Sequence, residues 1–234
     1  DCLLSRGLGD VYKRQDEIVK NGYKIYTEMD ANSQANMQQT YENSYLFPTS
    51  ESDGSTAQSA SVALDPSTGA VRGLVGRVGG TGDTTFRNFN YATQGKRSPG
   101  STIKPLVVYA PALASGWSIN KDLPNTPIDY NGYTPTNYGG IETDDVPMYQ
   151  ALANSYNIPA VYLFNQIGIQ KGISYGQKFG LNFDNVPEEL GIALGGGVTA
   201  SPLQMAQAYA TFANGGEMNT AYFITKIENA SGDI

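Results

Sequence analysis

The sequence has no histidine, a single cysteine and few charged residues. Without histidine there can be no Ser-His-Asp triad, no Cys-His dyad and no histidine-ligated metal site. Cys2 is the one cysteine, so an internal disulfide and a cysteine-based metal site are both excluded. Acid–base chemistry must therefore come from lysine, tyrosine, serine or carboxylates. Neither a metal nor an organic cofactor is indicated.

Positive charge and long apolar runs are also scarce. The net charge is −7, and no cluster of lysine and arginine is dense enough to follow a phosphate backbone. We therefore expect no nucleic-acid partner. No run approaches the roughly 20 apolar residues of a membrane span. What is present is 234 residues with 40% hydrophobic content, which suffices for one sizeable core.

The first fifteen residues differ from the rest of the chain. They hold the cysteine and a short basic stretch on an otherwise acidic protein. We interpret residues 1–15 as a non-native leader and residues 16–234 as one partial domain. An ordinary N-terminal extension is the alternative for this segment.

The hydrophobic periodicity predicts both strands and helices. Strands are predicted at 23–29, as a hairpin over 60–76 around the turn 65–69, and at 222–228. Residues 77–98 and 117–143 are predicted as loops, and 191–197 as a glycine-rich turn. Helices are predicted from Asp30 to about 44, from Ser101 to Gly116, from Asp144 or Asp145 to about 154, from Asn157, at 170–179 and at 201–213.

A Ser-x-x-Lys pattern, Ser101 to Lys104, begins one predicted helix. Residues three apart share a helix face, so the lysine amine can lie beside the serine hydroxyl. Serine needs a neighbouring base to become a good nucleophile, and a buried lysine can be that base if burial lowers its pKa. The alternative is that Ser101 caps the helix and Lys104 is a solvated surface cation. Four letters alone do not decide between them.

A second polar element, Ser155-Tyr156-Asn157, lies between two predicted helices. Ser155 could pass a proton from Lys104 to a leaving amine, and the Asn157 amide could bind a substrate amide and the lysine side chain. The alternative reading makes both of them loop and helix-cap residues, and the two roles can coexist. Asn157 precedes Ile158-Pro159, as a cap would.

These elements and their flanks resemble the class A, bifunctional type of penicillin-binding protein. Ser-x-x-Lys followed by a Ser-x-Asn element is shared with that family. The resemblance extends over residues 16–234 and includes four segments: 63–71 (ALDPSTGAV), 97–105 (RSPGSTIKP), 195–206 (GGGVTASPLQMA) and 209–216 (YATFANGG).

The resemblance implies an α+β domain of the penicillin-binding and β-lactamase type, with an antiparallel sheet, helices on its faces and the Ser101 helix at its centre. It implies a peptidoglycan DD-transpeptidase in which Ser101, Lys104 and Ser155 are catalytic and Asn157 binds substrate. Stem peptides and β-lactam antibiotics are the implied partners. The parent protein would be membrane-anchored and act on the extracytoplasmic face of the bacterial membrane.

One family motif, Lys-Thr/Ser-Gly on a strand, does not occur in this sequence. We therefore expect the domain to be incomplete at its C-terminus, and the fragment alone to have reduced activity or none. A β-lactamase or a penicillin sensor of the same fold is one alternative, with Glu188 and Glu189 as candidate activators of water. A non-catalytic scaffold is another. Three loop tyrosines, Tyr130, Tyr133 and Tyr138, either line a peptide groove or pack the loop onto the domain.

Overall fold

The central element of the fold is a helical segment, residues 100–114, that runs through the hydrophobic core. The computed structural model describes residues 22–79 and 89–232. The segment consists of a 3-10 helix, Gly100–Ile103, a π-helical turn, Pro105–Tyr109, and a short α-helix, α2, Ala110–Ala114. The π turn ends two residues before Pro111, whose ring would clash with the Val107 carbonyl in a regular α-helix. The sequence predicted this helix, but not its mixed geometry.

The central segment is buried on most of its surface. Leu106, Val107 and Val108 have no exposed area. Three elements pack around the segment: α4 (Asn157–Ile167), α5 (Ile169–Lys178) and a 3-10 helix, Leu190–Leu194. The expected central position of the Ser101 helix is therefore confirmed.

Helix α5 approaches the central segment closely because two of its residues are glycines. An added Cβ at Gly172 would overlap the Phe164 ring and lie 2.7 Å from the Val107 carbonyl oxygen. At Gly176 an added Cβ would overlap the Phe183 ring and lie 3.1 Å from a Val107 methyl. The two glycines thus allow close packing beneath the segment that carries the site.

In residues 22–79 and 89–232, six short strands form antiparallel pairs, and each pair is a two-stranded ladder. β1 (Lys24–Thr27) pairs with β6 (Ile224–Glu228), and β2 (Ser61–Leu64) pairs with β3 (Val71–Val75). β4 (Asp122–Leu123) pairs with β5 (Val146–Pro147). The α+β class and the three predicted strand regions are confirmed. The expectation of one sheet is corrected, because the pairs are separate ladders and, among the described residues, one parallel bridge, Ala70 to Tyr222, joins the hairpin to the chain before β6.

Local capping explains where several helices begin. Asp30 accepts a hydrogen bond from the Ser33 N–H at 2.6 Å and so begins α1 (Ala31–Glu42), as predicted. Ser201 and Gln204 form a reciprocal capping box at the start of α6 (Pro202–Ala213). The predicted cap at Asp144 or Asp145 is wrong. The chain there continues into β5, and α3 (Met148–Ala153) follows Pro147 without a side-chain cap.

The hairpin turn predicted at 65–69 is docked against the end of α6. Asn214 and Asn219 both donate side-chain hydrogen bonds to the Pro66 carbonyl, at 2.8 and 3.2 Å. Gly69 has a positive φ of 83° and lies against the Thr220 carbonyl, where a Cβ would collide. Two of the segments that carried the family resemblance, 63–71 and 209–216, therefore stabilise each other.

Several sequence predictions concern residues outside the described ranges. The proposed leader, 1–15, and part of the 77–98 loop lie there. Among residues 22–79 and 89–232, no helix combines the length and apolar character needed to cross a membrane.

Candidate active site

Ser101 and Lys104 lie in one turn of the 3-10 helix that begins the central segment. A 3-10 helix has three residues per turn, so the two side chains project from the same side. The backbone N–H of Lys104 donates to the backbone carbonyl of Ser101 and closes the turn. Ser101 is exposed, whereas Lys104 is 1% exposed. The pair therefore combines an accessible hydroxyl with a buried amine.

A second segment fixes the backbone just before Ser101. The Ser98 hydroxyl donates to the Gly195 carbonyl at 2.8 Å and accepts from the Gly100 N–H at 3.2 Å. Two backbone hydrogen bonds join Arg97 and Ala200, at 3.1 and 2.9 Å. An added Cβ at Gly195 would lie 2.7 Å from the Gly100 nitrogen. Only glycine at 195 permits this contact.

The sequence predicted that the glycine-rich stretch 191–197 is one turn, and this prediction is wrong. Its first part belongs to the 3-10 helix Leu190–Leu194, and only 195–197 turns. Gly195 and Gly197 have positive φ angles of 88° and 71°, in the left-handed region that favours glycine.

The Lys104 amine reaches the Ser155–Asn157 segment. It donates to the Asn157 Oδ1 at 2.7 Å, to the Ser155 carbonyl at 2.7 Å and to the Ser155 hydroxyl at 3.1 Å. The Tyr156 carbonyl also accepts, at 3.2 Å. Within the described part of the chain, the Ser101 hydroxyl is not one of these acceptors. The structure thus brings Lys104, Ser155 and Asn157 together and leaves Ser101 one helical turn away.

Burial lowers the pKa of Lys104 to about 8. The cause is loss of hydration of the ammonium, since all four acceptors are uncharged. With a pKa near 8, about a tenth of the amine is neutral at pH 7, against roughly three molecules in ten thousand for an ordinary lysine. Because Lys104 is 1% exposed, the surface-cation alternative is wrong, and its lowered pKa favours a role as a base near neutral pH.

Ser155 has a left-handed backbone conformation, with φ 53°. The Ser155 N–H donates to the Leu152 carbonyl and the Tyr156 N–H donates to the Ala151 carbonyl, both at 3.0 Å. This pattern is a Schellman motif that ends α3, in which glycine is the preferred residue at the left-handed position. A serine there is strained, and its hydroxyl touches Lys104. Such strain occurs more often at functional sites than elsewhere.

Asn157 does not cap α4, which corrects the sequence interpretation. The helix begins at Asn157 and has no side-chain cap of its own. Its first backbone N–H groups, those of Asn157 and Ile158, instead donate to the Asn137 Oδ1, at 2.7 and 3.1 Å. Because a loop residue caps the helix, the Asn157 amide is available for Lys104 and, through Nδ2, for the Thr136 carbonyl at 2.9 Å.

Sequence reasoning missed Asn137 because an asparagine next to Tyr138-Gly139-Gly140 is typical of an ordinary loop. It also missed Tyr209 on α6, whose hydroxyl donates to the Thr102 carbonyl at 2.6 Å in the turn between Ser101 and Lys104. Single-residue patterns give no signal for contacts over such sequence distances.

The other candidate side chains lie outside this hydrogen-bonded group. Glu188 and Glu189 are exposed. Tyr130 packs against the core, which matches the packing alternative, whereas Tyr133 is 37% and Tyr138 is 95% exposed. Tyr133 and Tyr138 are thus the more accessible candidates for lining a groove.

Comparison with known proteins gives one consistent result. The family model described as the penicillin-binding protein transpeptidase domain matches residues 59–233. The chain is 57% identical to penicillin-binding protein 2a of Streptococcus pneumoniae over 235 residues, covering all of this chain and 32% of that protein. It is 38% identical to penicillin-binding protein 1A of Neisseria lactamica over 184 residues, covering 76% of this chain and 22% of the relative.

Solved structures show the same fold. PonA1 of Mycobacterium tuberculosis in complex with penicillin V aligns with a TM-score of 0.76 and 24% identity, over 94% of this chain and 58% of that one. The chain spans about a third of the length of the pneumococcal relative. The likeness therefore concerns one domain of longer proteins.

Proposed function

The chain belongs to the transpeptidase domain family of the class A penicillin-binding proteins, and on this premise we propose that it catalyses DD-transpeptidation in peptidoglycan synthesis. The observation that carries the proposal is the buried Lys104 amine, held against Ser155 and Asn157 one turn from the exposed Ser101. A serine nucleophile, a lysine base and a relay hydroxyl are the groups that acyl transfer needs.

In the first half-reaction, the Ser101 hydroxyl attacks the carbonyl between two terminal D-alanines of a stem peptide. Lys104 takes the hydroxyl proton as the bond from Oγ to carbon forms. Ser101 lies in the first turn of a helical segment, where the positive end of the helix dipole favours the developing oxyanion. The carbon–nitrogen bond then breaks, and Ser155 passes the proton from Lys104 to the departing D-alanine amine.

In the second half-reaction, an amine of a neighbouring stem peptide attacks the acyl-enzyme ester. The amine loses a proton to Lys104, and the proton returns to Ser101 as the ester bond breaks. Asn157 orients the substrate amide while it holds the lysine. The product is a cross-link between two stems, and the enzyme is restored.

A β-lactam acylates Ser101 in the same way, because its strained amide imitates the scissile carbonyl. Its leaving nitrogen remains attached to the acyl group and cannot diffuse from the site. Stem peptides and β-lactams are thus the proposed ligands. The proposed setting is the extracytoplasmic face of the bacterial cell membrane, in a membrane-anchored parent protein.

The test is acyl transfer from a D-Ala-D-Ala donor peptide to an added amine acceptor by the complete protein. We expect a cross-linked product, release of one D-alanine per transfer and slow release of bound penicillin. Ser101→Ala should form no cross-linked product, release no D-alanine and bind no penicillin covalently. Ser174→Ala, at an exposed position on α5, is the matched control and should behave as the wild type. Rapid turnover of penicillin without acyl transfer would instead support a β-lactamase.

A further inference from the structure

Two asparagines are buried beneath the first turn of α4. Asn137 is 5% exposed and Asn125 has no exposed area. Buried amides are expensive unless each polar atom has a partner, so their placement requires an explanation. Neither residue belongs to the Ser-x-x-Lys or Ser-x-Asn elements.

Every hydrogen-bonding position of the Asn137 amide is used. Its Oδ1 accepts from the Asn157 and Ile158 N–H groups, at 2.7 and 3.1 Å. Its Nδ2 donates to the Asn125 Oδ1 at 2.8 Å and to the Ile141 carbonyl at 2.7 Å. A flipped amide would set its NH2 group against the two N–H donors, so the network fixes its orientation.

The network continues away from the site through Asn125. The Asn125 Nδ2 donates to the Thr143 hydroxyl at 2.8 Å. Thr143, Asn125 and Asn137 therefore form one chain of side-chain hydrogen bonds that ends at the backbone of Asn157. Such a chain makes the position of the helix terminus depend on the loop that holds Asn125, Asn137 and Thr143.

The position of that terminus matters because Asn157 holds Lys104. The Asn157 Oδ1 accepts from the Lys104 amine at 2.7 Å, and its Nδ2 donates to the Thr136 carbonyl at 2.9 Å. If Asn157 had to cap its own helix, its carbonyl oxygen would turn toward the helix N–H groups. Asn137 performs that capping and leaves the Asn157 amide to the lysine.

We propose that Asn137 is a positioning residue for acylation: by capping α4 in place of Asn157, it sets where the Lys104 amine lies. The inference rests on the proposed function, because acylation of Ser101 is its readout. It assigns no contact with substrate to Asn137. It predicts that changes at Asn137 alter the chemistry at Lys104, and not only the amount of folded protein.

The experiment measures the first-order acylation rate constant of the complete protein at saturating penicillin, together with the half-saturating concentration, from pH 6 to 10. Asn137→Ala removes the cap, and Thr143→Ala loosens the far end of the network. Asn43→Ala is the matched control, because it removes an asparagine cap from a 3-10 turn, Ser44–Leu46. Rate constants report only on folded, reactive molecules, so partial misfolding does not mimic the effect.

We expect Asn137→Ala to acylate at least tenfold more slowly with a half-saturating concentration within threefold of wild type. Thr143→Ala should slow acylation less, and Asn43→Ala should not change it. Asn137→Asp adds a negative charge near an amine that faces no charged group among the described residues. Its pH–rate profile should therefore shift to higher pH, because a nearby negative charge raises the pKa of Lys104.

Three outcomes are distinguished by this experiment. If wild-type protein is acylated, and the folded Asn137 and Thr143 variants keep its rate constant and pH profile, the positioning role is overturned. If Asn137→Ala yields no folded protein, Thr143→Ala decides the matter alone. If wild-type protein is not acylated at all, the proposed function fails, and the positioning role fails with it.

Discussion

Gly195 allows a sharp test of how the site is held. An added Cβ there would lie 2.7 Å from the Gly100 nitrogen and 2.9 Å from the Gly100 Cα, whereas ordinary contact begins at 3.4 Å. Gly195→Ala must therefore move the backbone before Ser101 by about 0.7 Å. A misplacement of about 1 Å can cost roughly 100-fold in rate, so we expect acylation to slow by roughly 10- to 100-fold.

Gly116→Ala is the matched control for the glycine test. Gly116 has φ 86°, against 88° for Gly195, and no atom lies within 4 Å of its added Cβ. Both variants place alanine in a left-handed conformation, which costs about 1–2 kcal/mol. Only Gly195→Ala adds a collision at the nucleophile turn. Stopped-flow acylation measures the effect of the collision on the rate constant, and thermal unfolding measures the stability cost of the left-handed alanine. Equal acylation rate constants for both variants would refute the reasoning.

Three further predictions concern other parts of the site and its support. The acylation rate should rise tenfold per pH unit up to about pH 8 and then level off, because Lys104 must lose its proton and burial lowers its pKa to about 8. A rate that keeps rising past pH 10 would contradict this prediction. Lys104→Arg should remove acylation activity. Ser155→Gly should be more stable than Ser155→Ala by about 1 kcal/mol in urea unfolding, because residue 155 has a φ of 53°, which glycine adopts without strain. Both variants should acylate slowly. The reverse order of stability would contradict backbone strain at Ser155. Gly172→Ala should lower the free energy of unfolding by roughly 1–3 kcal/mol, because the added methyl overlaps Phe164 and Val107. Ser174→Ala, at an exposed position on the same helix, should change it by less than about 0.5 kcal/mol. Similar losses for the two variants would contradict close packing at Gly172.

Elements that depend on local chemistry followed directly from the sequence. Asp30 and Ser201 begin the helices that their capping chemistry predicts, because each of them hydrogen-bonds to the helix that directly follows it. The hairpin at 60–76 likewise followed from a turn whose residues set the required dihedral angles. Helix α5 was predicted within one residue at each end.

Elements that depend on distant partners were not predicted from the sequence. The cap on α4 comes from Asn137, twenty residues earlier in a loop, so the local pattern assigned that role wrongly to Asn157. The two-residue ladder of β4 and β5 has too few residues to show a period of two. Pro105 and Pro111 alter the central helix, yet apolar spacing alone predicts a regular one.

Some features of the site likewise follow from local sequence, and others depend on distant packing. The spacing of Ser101 and Lys104 predicts a shared helix face, and the two residues lie in one 3-10 turn. The depth of Lys104 and its distances to Ser155 and Asn157 depend on how α4 packs against the central segment. Burial lowers the pKa of the lysine, and no local pattern predicts the burial or the distances.

The most direct test of the proposed mechanism is mass spectrometry of the complete protein after reaction with penicillin. We predict one added penicilloyl group per chain, located on the tryptic peptide that contains Ser101 and absent from Ser101→Ala. Lys104→Arg should carry far less adduct at the same time point. An adduct on another residue, or undiminished labelling of Ser101→Ala, would contradict Ser101 as the nucleophile.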